Sequence, residues 1–483
     1  MSVEDDLALF QNVEVLQTFE RMLQKLTIQK QQVANINSWL RPELEVGFTL
    51  PRKATTEHKG LSMLSRTPWL KLVVDNVTQA MFVDNIYSSK GHTSELWRIW
   101  RANKLHSRQI ANHRCFIAYG HSYALVTHNY YDDEMPLVRL LSPCTMAVEY
   151  GDTGSFDHRP AAALYEYSNS GRTYWSLFFP GVRYDIGKNP NPGTITRDET
   201  GFSSEYSILN YEELDVDYVP VVRFANQEDL DGNVIGEVEP FIPTAQRINK
   251  TTYDRLLAQH FNSWKVKTVT GLDLPVLKDQ DGDPTDQPDE AATDHLKIKL
   301  AQEDMLVSDD PETKFGVLDA TALEPFVESF KSDIEALAAV SQTPAHALTG
   351  QMSNLTPEAL AAARGPLMQK VSERKANASA SYDTLLQIIA DHAGLSELAD
   401  DPMLRVTWQD TEIRSMSQAV DALGKAAQML GVPKRALWPL IPNIERSTIE
   451  EWERLADEEL EADPMNALFQ RQTARNEDEV TGG

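Results

Sequence analysis

With 483 residues, 41% of them apolar and nine Trp, the chain has material for a sizeable core spread over several lobes. Its 72 acidic residues outnumber 45 basic ones, and the net charge of −27 opposes tight nonspecific binding of nucleic acid while permitting a surface along which DNA slides. Two cysteines, Cys115 and Cys144, exclude a disulfide framework or zinc ribbon and point to a reducing cytoplasm; the acidic start is neither a signal nor a transit peptide, and no apolar run reaches the roughly 18 residues that cross a bilayer.

In chain order, residues 4–40 have a helical pattern with Leu16, Phe19, Met22, Leu23 and Leu26 as its stripe. Residues 41–66 read as an irregular connector, and 67–85 as an amphipathic segment around Trp69. Ser94 to Asn103 leads into a third helix that ends at Gly120, after which Ser122 to His128 is a strand. From about 122 to 226 the pattern is β-branched and aromatic. Runs at Ala163–Ser168 and Thr173–Phe179 alternate with turn dipeptides, and Val219 to Asn226 closes the region as a buried strand. A long helix is expected over Val238 to Trp264, with Ala245, Ile248, Thr252, Leu256 and Phe261 as a stripe and a basic lean at Arg247, Lys250 and Arg255. Residues 266–318 mix short strands (Lys265–Val269, Leu296–Leu300, Met305–Val307) with an acidic loop at 279–290.

Thr321 to His392 reads as two helices joined by a breaker-rich loop. The first spaces Leu323, Phe326, Val327, Phe330, Ile334, Leu337 and Ala338 on one face, with Glu324, Glu328, Lys331 and Glu335 opposite. Pro344 and Gly350 stop it. Thr356-Pro357-Glu358 restarts a helix, as N-cap, first helical position and an acid at the positive end of the dipole; it runs to Gly394. A strand follows at Met403 to Trp408, then helices at 414–430, 433–438 and 446–462, and a polar tail from Asp463 expected to be disordered.

None of the chemistry-bearing patterns completes a site. Gly120-His-Ser-Tyr-Ala124 approaches a nucleophile elbow, but Ala124 replaces the last Gly and the order is helix–Gly–strand, the reverse of what an elbow needs. A serine hydrolase using Ser122 is kept as the alternative reading. Counted from Asp279, Gly282 falls at position 4, whereas a calcium loop needs Gly at 6, so 279–290 reads as a solvated acidic loop and Asp229-Leu-Asp-Gly-Asn233 as a turn. His106, His113, His121 and His128 cross a helix, a turn and a strand and cannot share one face as metal ligands. No phosphate-cradling or dinucleotide loop is present; no cofactor is expected, and if the protein works with an ATP-driven process the ATPase is another chain. The basic helix 240–267 and the acid-faced helix 323–340 have opposite bias, which fits either solvated faces or side-by-side packing.

Several segments in fixed order resemble the portal proteins of tailed bacteriophages, in particular the siphophage type of Gram-positive hosts. They are Trp69-Leu-Lys-Leu-Val-Val-Asp-Asn-Val77, Leu96 to Leu105, Ala118 to Val126, Val219 to Phe224 with Gly236-Glu-Val238, and Ser341 to Gly350 leading into Thr356-Pro-Glu-Ala-Leu360. The resemblance implies an α+β portal fold: a mixed α/β wing, two-helix stem, small α/β clip, long tunnel-loop helix and α-helical crown. Its parts would be wing 1–237, stem helices 238–264 and 319–341, clip 265–318, tunnel loop 342–356, long helix and wing strand 357–410, and crown 411–462.

It further implies a structural protein with no enzymatic activity. A ring of about twelve subunits would sit at one capsid vertex, assembled in the host cytoplasm. The partners implied are double-stranded DNA without sequence specificity, the large terminase ATPase, a head-completion or adaptor protein, and the major capsid and scaffolding proteins, with no membrane. His346, Thr349, Gln351, Met352, Ser353 and Asn354 would face DNA. Arg247, Lys250, Arg255, Glu324, Glu328, Lys331 and Glu335 would line the stem or its subunit contacts, and Asp279, Asp281, Asp283 and Asp286 the clip docking surface. An acidic wall repeated around a ring repels phosphate, and neutral polar Gln351, Ser353 and Asn354 with flexible Met352 suit a gasket. Another phage head component, such as an adaptor, is a further alternative, against which the long helix pair argues.

Overall fold

The structure, a computed structural model, describes residues 3–41, 56–91, 93–129, 132, 135–151, 159–188, 205–263, 267–270, 276–278, 284–290, 314–317, 320–350, 356–409, 416–441, 444 and 446–462. The chain divides into two units, residues 1–406 and 407–483.

The first unit opens with α1 (Val3–Leu40). Val15, Phe19, Met22, Leu26, Val33 and Ile36 recur at three- or four-residue steps, with one two-turn step from Leu26 to Val33, and are all buried. Leu16 and Leu23, expected in the stripe, flank it half-buried. The supposed connector contains a helix, α2 (Thr56–Leu64), which the sparse apolar content of Thr56-Glu-His-Lys59 concealed. Then come α3 (Trp69–Thr78), β1 (Val83–Tyr87), α4 (Ser94–Ala102) and α5 (Leu105–Tyr119). Lys104, at φ +57°, separates the last two.

Strands β2 (His121–Thr127), β3 (Leu137–Leu141) and β9 (Val221–Ala225) form one antiparallel sheet in the order β3-β2-β9. Strands β4 (Met146–Glu149), β5 (Ala162–Asn169), β6 (Arg172–Phe179), β7 (Val182–Lys188) and β8 (Tyr206–Glu213) form a sequential antiparallel meander. Period-two alternation gives that meander two apolar faces. Ala162, Leu164, Trp175, Leu177 and Ile186 pack on α1, with Phe19 edge-on to Trp175 at 5.6 Å. Ala163, Phe178, Met146 and Val148 pack on Tyr123, Leu125, Val219 and Val221 of the three-stranded sheet side. The result is a helix–sheet–sheet sandwich.

A small hairpin, β10 (Gln227–Glu228) with β11 (Val234–Ile235), leads through a 3₁₀ turn (Glu239–Phe241) into α6 (Ile242–Ser263). Between α6 and α7 (Glu324–Val340), β12 (Lys267–Thr270) pairs with β15 (Lys314–Val317), and β13 (Val276–Lys278) with β14 (Pro284–Pro288). Part of the expected acidic loop is therefore a strand: Val276 pairs with Pro288 and Lys278 with Pro284, a short ladder with an irregular register that tolerates proline at its ends. The expected strands at 296–300 and 305–307 lie outside the described residues.

After α7 come α8 (Ala345–Thr349), α9 (Pro357–His392), α10 (Ser396–Ala399) and β16 (Arg405–Trp408) at the unit boundary. Thr356 caps α9 through its Oγ1, which accepts from Ala359 N at 3.3 Å, and Gly394 ends it at φ +71°. The 36-residue α9, about 54 Å long at 1.5 Å per residue, buries Leu367, Val371, Tyr382, Leu385 and Ile389. It lies across β9 and β2.

The second unit holds α11 (Met416–Met429), α12 (Lys434–Leu437) and α13 (Arg446–Ala462). Trp438 meets Trp452 edge-on at 6.1 Å, and Arg435 pairs with Asp457 at 2.6 Å. The polar tail from Asp463 lies outside the described residues.

Candidate functional site

Helices α6 and α7 pack side by side within one subunit. Their antiparallel register is written in three contacts. At one end Asn262 donates to the Thr321 carbonyl at 2.8 Å and accepts from the Thr321 amide at 3.0 Å. In the middle Arg247 Nε reaches Asp333 Oδ1 at 2.7 Å and Thr251 Oγ1 reaches Oδ2 at 3.3 Å. Between them the Arg255 guanidinium lies over the Phe330 ring at 5.7 Å, and Trp69 of α3 meets that ring edge-on at 6.0 Å.

Of the two readings that the opposite bias left open, side-by-side packing is present, with Asp333 as the acid that meets Arg247. Glu324, Glu328, Lys331 and Glu335 stay on the exposed face of α7, and Lys250 turns to Asp254 on its own helix. The stripe expected on α6 also shifts. Ala245, Ile248, Asn249 and Tyr253 are buried, Thr252 and Leu256 half-buried, and Phe261 is 56% exposed. No residue of α6 after Tyr253 is buried, although α7 lies beside its last turns and His260 Nε2 comes within 4.0 Å of Glu57 Oε2 on α2.

Where this pair meets the rest of the unit, three distant segments converge on one buried carboxylate, Glu237. Lys370 Nζ is 2.5 Å from Glu237 Oε2 and donates at 2.9 Å to the carbonyl of Ser341, at the end of α7. Arg374 approaches Glu237 Oε1 through Nη2 at 2.9 Å and Nε at 3.1 Å, while its Nη1 pairs with exposed Glu373 at 2.7 Å. Asn226 donates to the same Oε1 at 3.3 Å. The side chains of Glu237, Lys370 and Arg374 are only 4–6% exposed. Burial by itself raises the Glu237 carboxyl, but the charges and hydrogen bonds of Lys370 and Arg374 override it and hold it below the usual carboxylate range. Lys370 is lowered by its own burial, against the pull of Glu237.

Glu237 is placed by a tight backbone crossing: its amide donates to the Ile117 carbonyl at 2.7 Å. Gly236 is needed there, since a Cβ would lie 2.3 Å from the Ala118 carbonyl oxygen and 2.8 Å from the Gly120 amide.

From this junction the chain leaves α7 through Ser341, whose hydroxyl donates to Thr343 Oγ1 at 2.9 Å. The expected open loop 342–356 contains α8, because Pro344 fits the start of a helix and Gly350, at φ +68°, its end. Leu348 is buried and α8 sits against α3. His346 is half-buried and Thr349 exposed. Gln351, Met352, Ser353 and Asn354 lie outside the described residues, as do Asp279, Asp281 and Asp283; Asp286 is in β14.

The hydrolase alternative loses its nucleophile. Ser122 is fully buried in β2, and its hydroxyl donates to Asn112 Oδ1 at 2.6 Å. Among the described residues no group of His, Cys, Asp and Glu could hold a metal ion. His113 and His121 are both held neutral, chiefly by burial, lowered to about 4 and about 3. Asp229 builds a turn, accepting from the amides of Asp231 and Asn233. No helix among the described residues is long and apolar enough to cross a membrane.

Glu237, Lys370, Arg374, Asp333 and Asn262 were not singled out by sequence. One signal was there: Lys370 and Arg374 fall on the stripe Leu367, Val371, Ala378, Tyr382, where a charge needs a buried partner.

A family model described as "Phage portal protein, SPP1 Gp6-like" matches residues 14–465. No curated protein matches the chain. Among solved structures, the virion of a native gene transfer agent particle is similar with a TM-score of 0.43 at 12% identity, covering 80% of this chain and 96% of that one. The neck of an empty particle of the same kind, computed with C6 symmetry, gives a TM-score of 0.38 at 12% identity, covering 80% and 92%.

Proposed function

This chain belongs to the SPP1 Gp6-like family of phage portal proteins, and from that premise we propose how its parts conduct DNA. It is a portal protein of the virion, at a capsid vertex. In our reading about twelve copies close into a ring, which repeats one heterologous contact between neighbours. Residues 1–237 form the wing with α9 and β16, α6 and α7 form the stem, 265–318 the clip, and 411–462 the crown.

The single observation that supports this division best is the clamped antiparallel pair α6/α7, with β12–β15 and β13–β14 beyond one end and the Glu237 junction at the other. In that arrangement residues 342–356, α8 included, leave the stem beside the junction and face the DNA. The exposed acids Glu324, Glu328 and Glu335 give the stem a face that repels phosphate, so DNA slides instead of sticking. The clip docks the terminase ATPase during packaging and a head-completion protein afterwards. The family is structural, and the proposed work is conduction without chemistry.

Electron microscopy of the purified protein tests the ring: axial views should show closed rings with a central hole. A protein that stays monomeric at high concentration and in proheads overturns it. Deleting 342–356 tests the channel: rings should assemble, and DNA packaging or retention should fail. Normal packaging by such rings overturns the assignment of that segment.

A further inference from the structure

We propose that Glu237, Lys370 and Arg374 form a polar register lock, which positions α8 and the first turns of α9 against the stem and is kept for that register and not for stability. The inference rests on the reading that this segment faces the DNA.

Stability does not explain the cluster. Exchanging a buried ion triad for apolar residues of similar volume is often neutral or stabilising, because the desolvation of each charge offsets its attraction. Leu367 and Val371, on the same face of α9, show that the site accepts apolar side chains. What the charges add is uniqueness. Apolar faces can slide over one another by a turn and repack. Lys370 cannot: it must meet Glu237 Oε2 and the Ser341 carbonyl together, and a one-turn slip, which brings one of Lys370 and Arg374 to the other's place at Glu237, leaves the displaced cation without that carboxylate.

The position of the lock gives this uniqueness a purpose. Glu237 lies just before α6, and Ser341 just after α7, so the stem pair presents both ends at one point. Lys370 and Arg374 tie α9 to that point one turn beyond Gly365-Pro366. Pro366 removes a backbone donor from the helix, and Gly365 has nothing within 4 Å of where its Cβ would be. The segment between the anchors is therefore bounded at Ser341 on one side and at Lys370 on the other. A tilt of the stem moves Glu237 and Ser341 together, and Lys370 carries that movement into α9. Asn377 and Ser381, which donate to the carbonyls of Asn226 and Arg223, pass it on to β9.

The test replaces the lock by apolar side chains, in the triple variant Glu237→Leu, Lys370→Met, Arg374→Met. Rings should assemble with unchanged or raised thermal stability, yet packaged and retained DNA should fall by about tenfold, within the usual range of coupling between sites. A triple variant that packages and retains DNA as the wild type does overturns the lock. If it fails to assemble, Glu237→Asp takes its place: it keeps the charge balance but shortens the reach to Lys370 and Arg374. Retention should then drop, and unchanged retention overturns the lock equally. The deletion of 342–356 runs beside them. Normal packaging in that deletion removes the channel reading, whereas a defective deletion with wild-type behaviour of the lock variants removes the lock alone.

Discussion

His113 gives the chain a built-in acid sensitivity whose size follows from its surroundings. The ring is fully buried between α3, α5 and α9. Its Nδ1 lies 3.2 Å from the Met81 carbonyl, which can only accept, so Nδ1 carries the proton and Nε2 accepts from the Tyr382 hydroxyl at 2.9 Å. Burial lowers its pKa from the usual 6.5 to about 4; the Met81 carbonyl opposes this and the charge of Lys375 adds to it. A folded-state pKa below the unfolded one means that the unfolded chain takes up the proton first. The contribution is whole above pH 6.5 and is lost as pH falls toward 4. The loss amounts to about 2 kcal/mol at pH 5 and about 3 kcal/mol at pH 4, from roughly 1.4 kcal/mol for each tenfold difference in proton affinity between the folded and unfolded chain. Other groups titrate in the same range, so the measurement is a difference. Urea unfolding of the wild type and of His113→Gln, followed by tryptophan fluorescence at pH 7.5, 5 and 4, should show the wild type losing that much more than the variant. Parallel losses in the two proteins would refute the assignment of a neutral, buried His113.

Three further outcomes test the packing at the junction, on α2 and along the α6/α7 pair. Gly236→Ala puts a methyl into backbone atoms of Ala118 and Gly120 that have no room to retreat, so a loss of about 3 kcal/mol or more is expected, read as a lowered melting temperature. Gly60→Ala on α2, whose new Cβ has nothing within 4 Å, should instead stabilise by about 0.5–1 kcal/mol, and equal effects at the two sites would contradict the geometry. A double-mutant cycle on Arg247→Ala and Asp333→Ala should give a coupling of about 0.5–1 kcal/mol that shrinks in high salt, since the Arg247 side chain is 56% exposed. A coupling of zero would leave the α6/α7 register to apolar packing and the Asn262–Thr321 clamp.

The sequence by itself determined the parts of this protein that local chemistry governs. The stripe of α1, the Thr356-Pro357 start and Gly394 end of α9, the helix–Gly–strand corner at Gly120 and the three C-terminal helices were all readable, because caps, breakers and a 3.6-residue period act within a turn or two. The order of the segments from Trp69 to Leu360 also carried the portal resemblance, which the family match over residues 14–465 shows.

Local chemistry left the rest open. Val182-Arg-Tyr-Asp-Ile186 has weak alternation, and it becomes β7 only because β6 and β8 pair with both its edges. The segment 345–349 reads as loop until the body offers Leu348 a seat on α3. The junction itself was invisible as a unit: Glu237 and Arg374 stand 137 positions apart, and no periodicity says which carboxylate a buried cation on α9 will meet. A charge on an apolar stripe announces that a partner must exist. Only the fold, by bringing the start of α6 and the end of α7 to one point on α9, decides which partner it is, since desolvation forbids each of these charges from being buried alone.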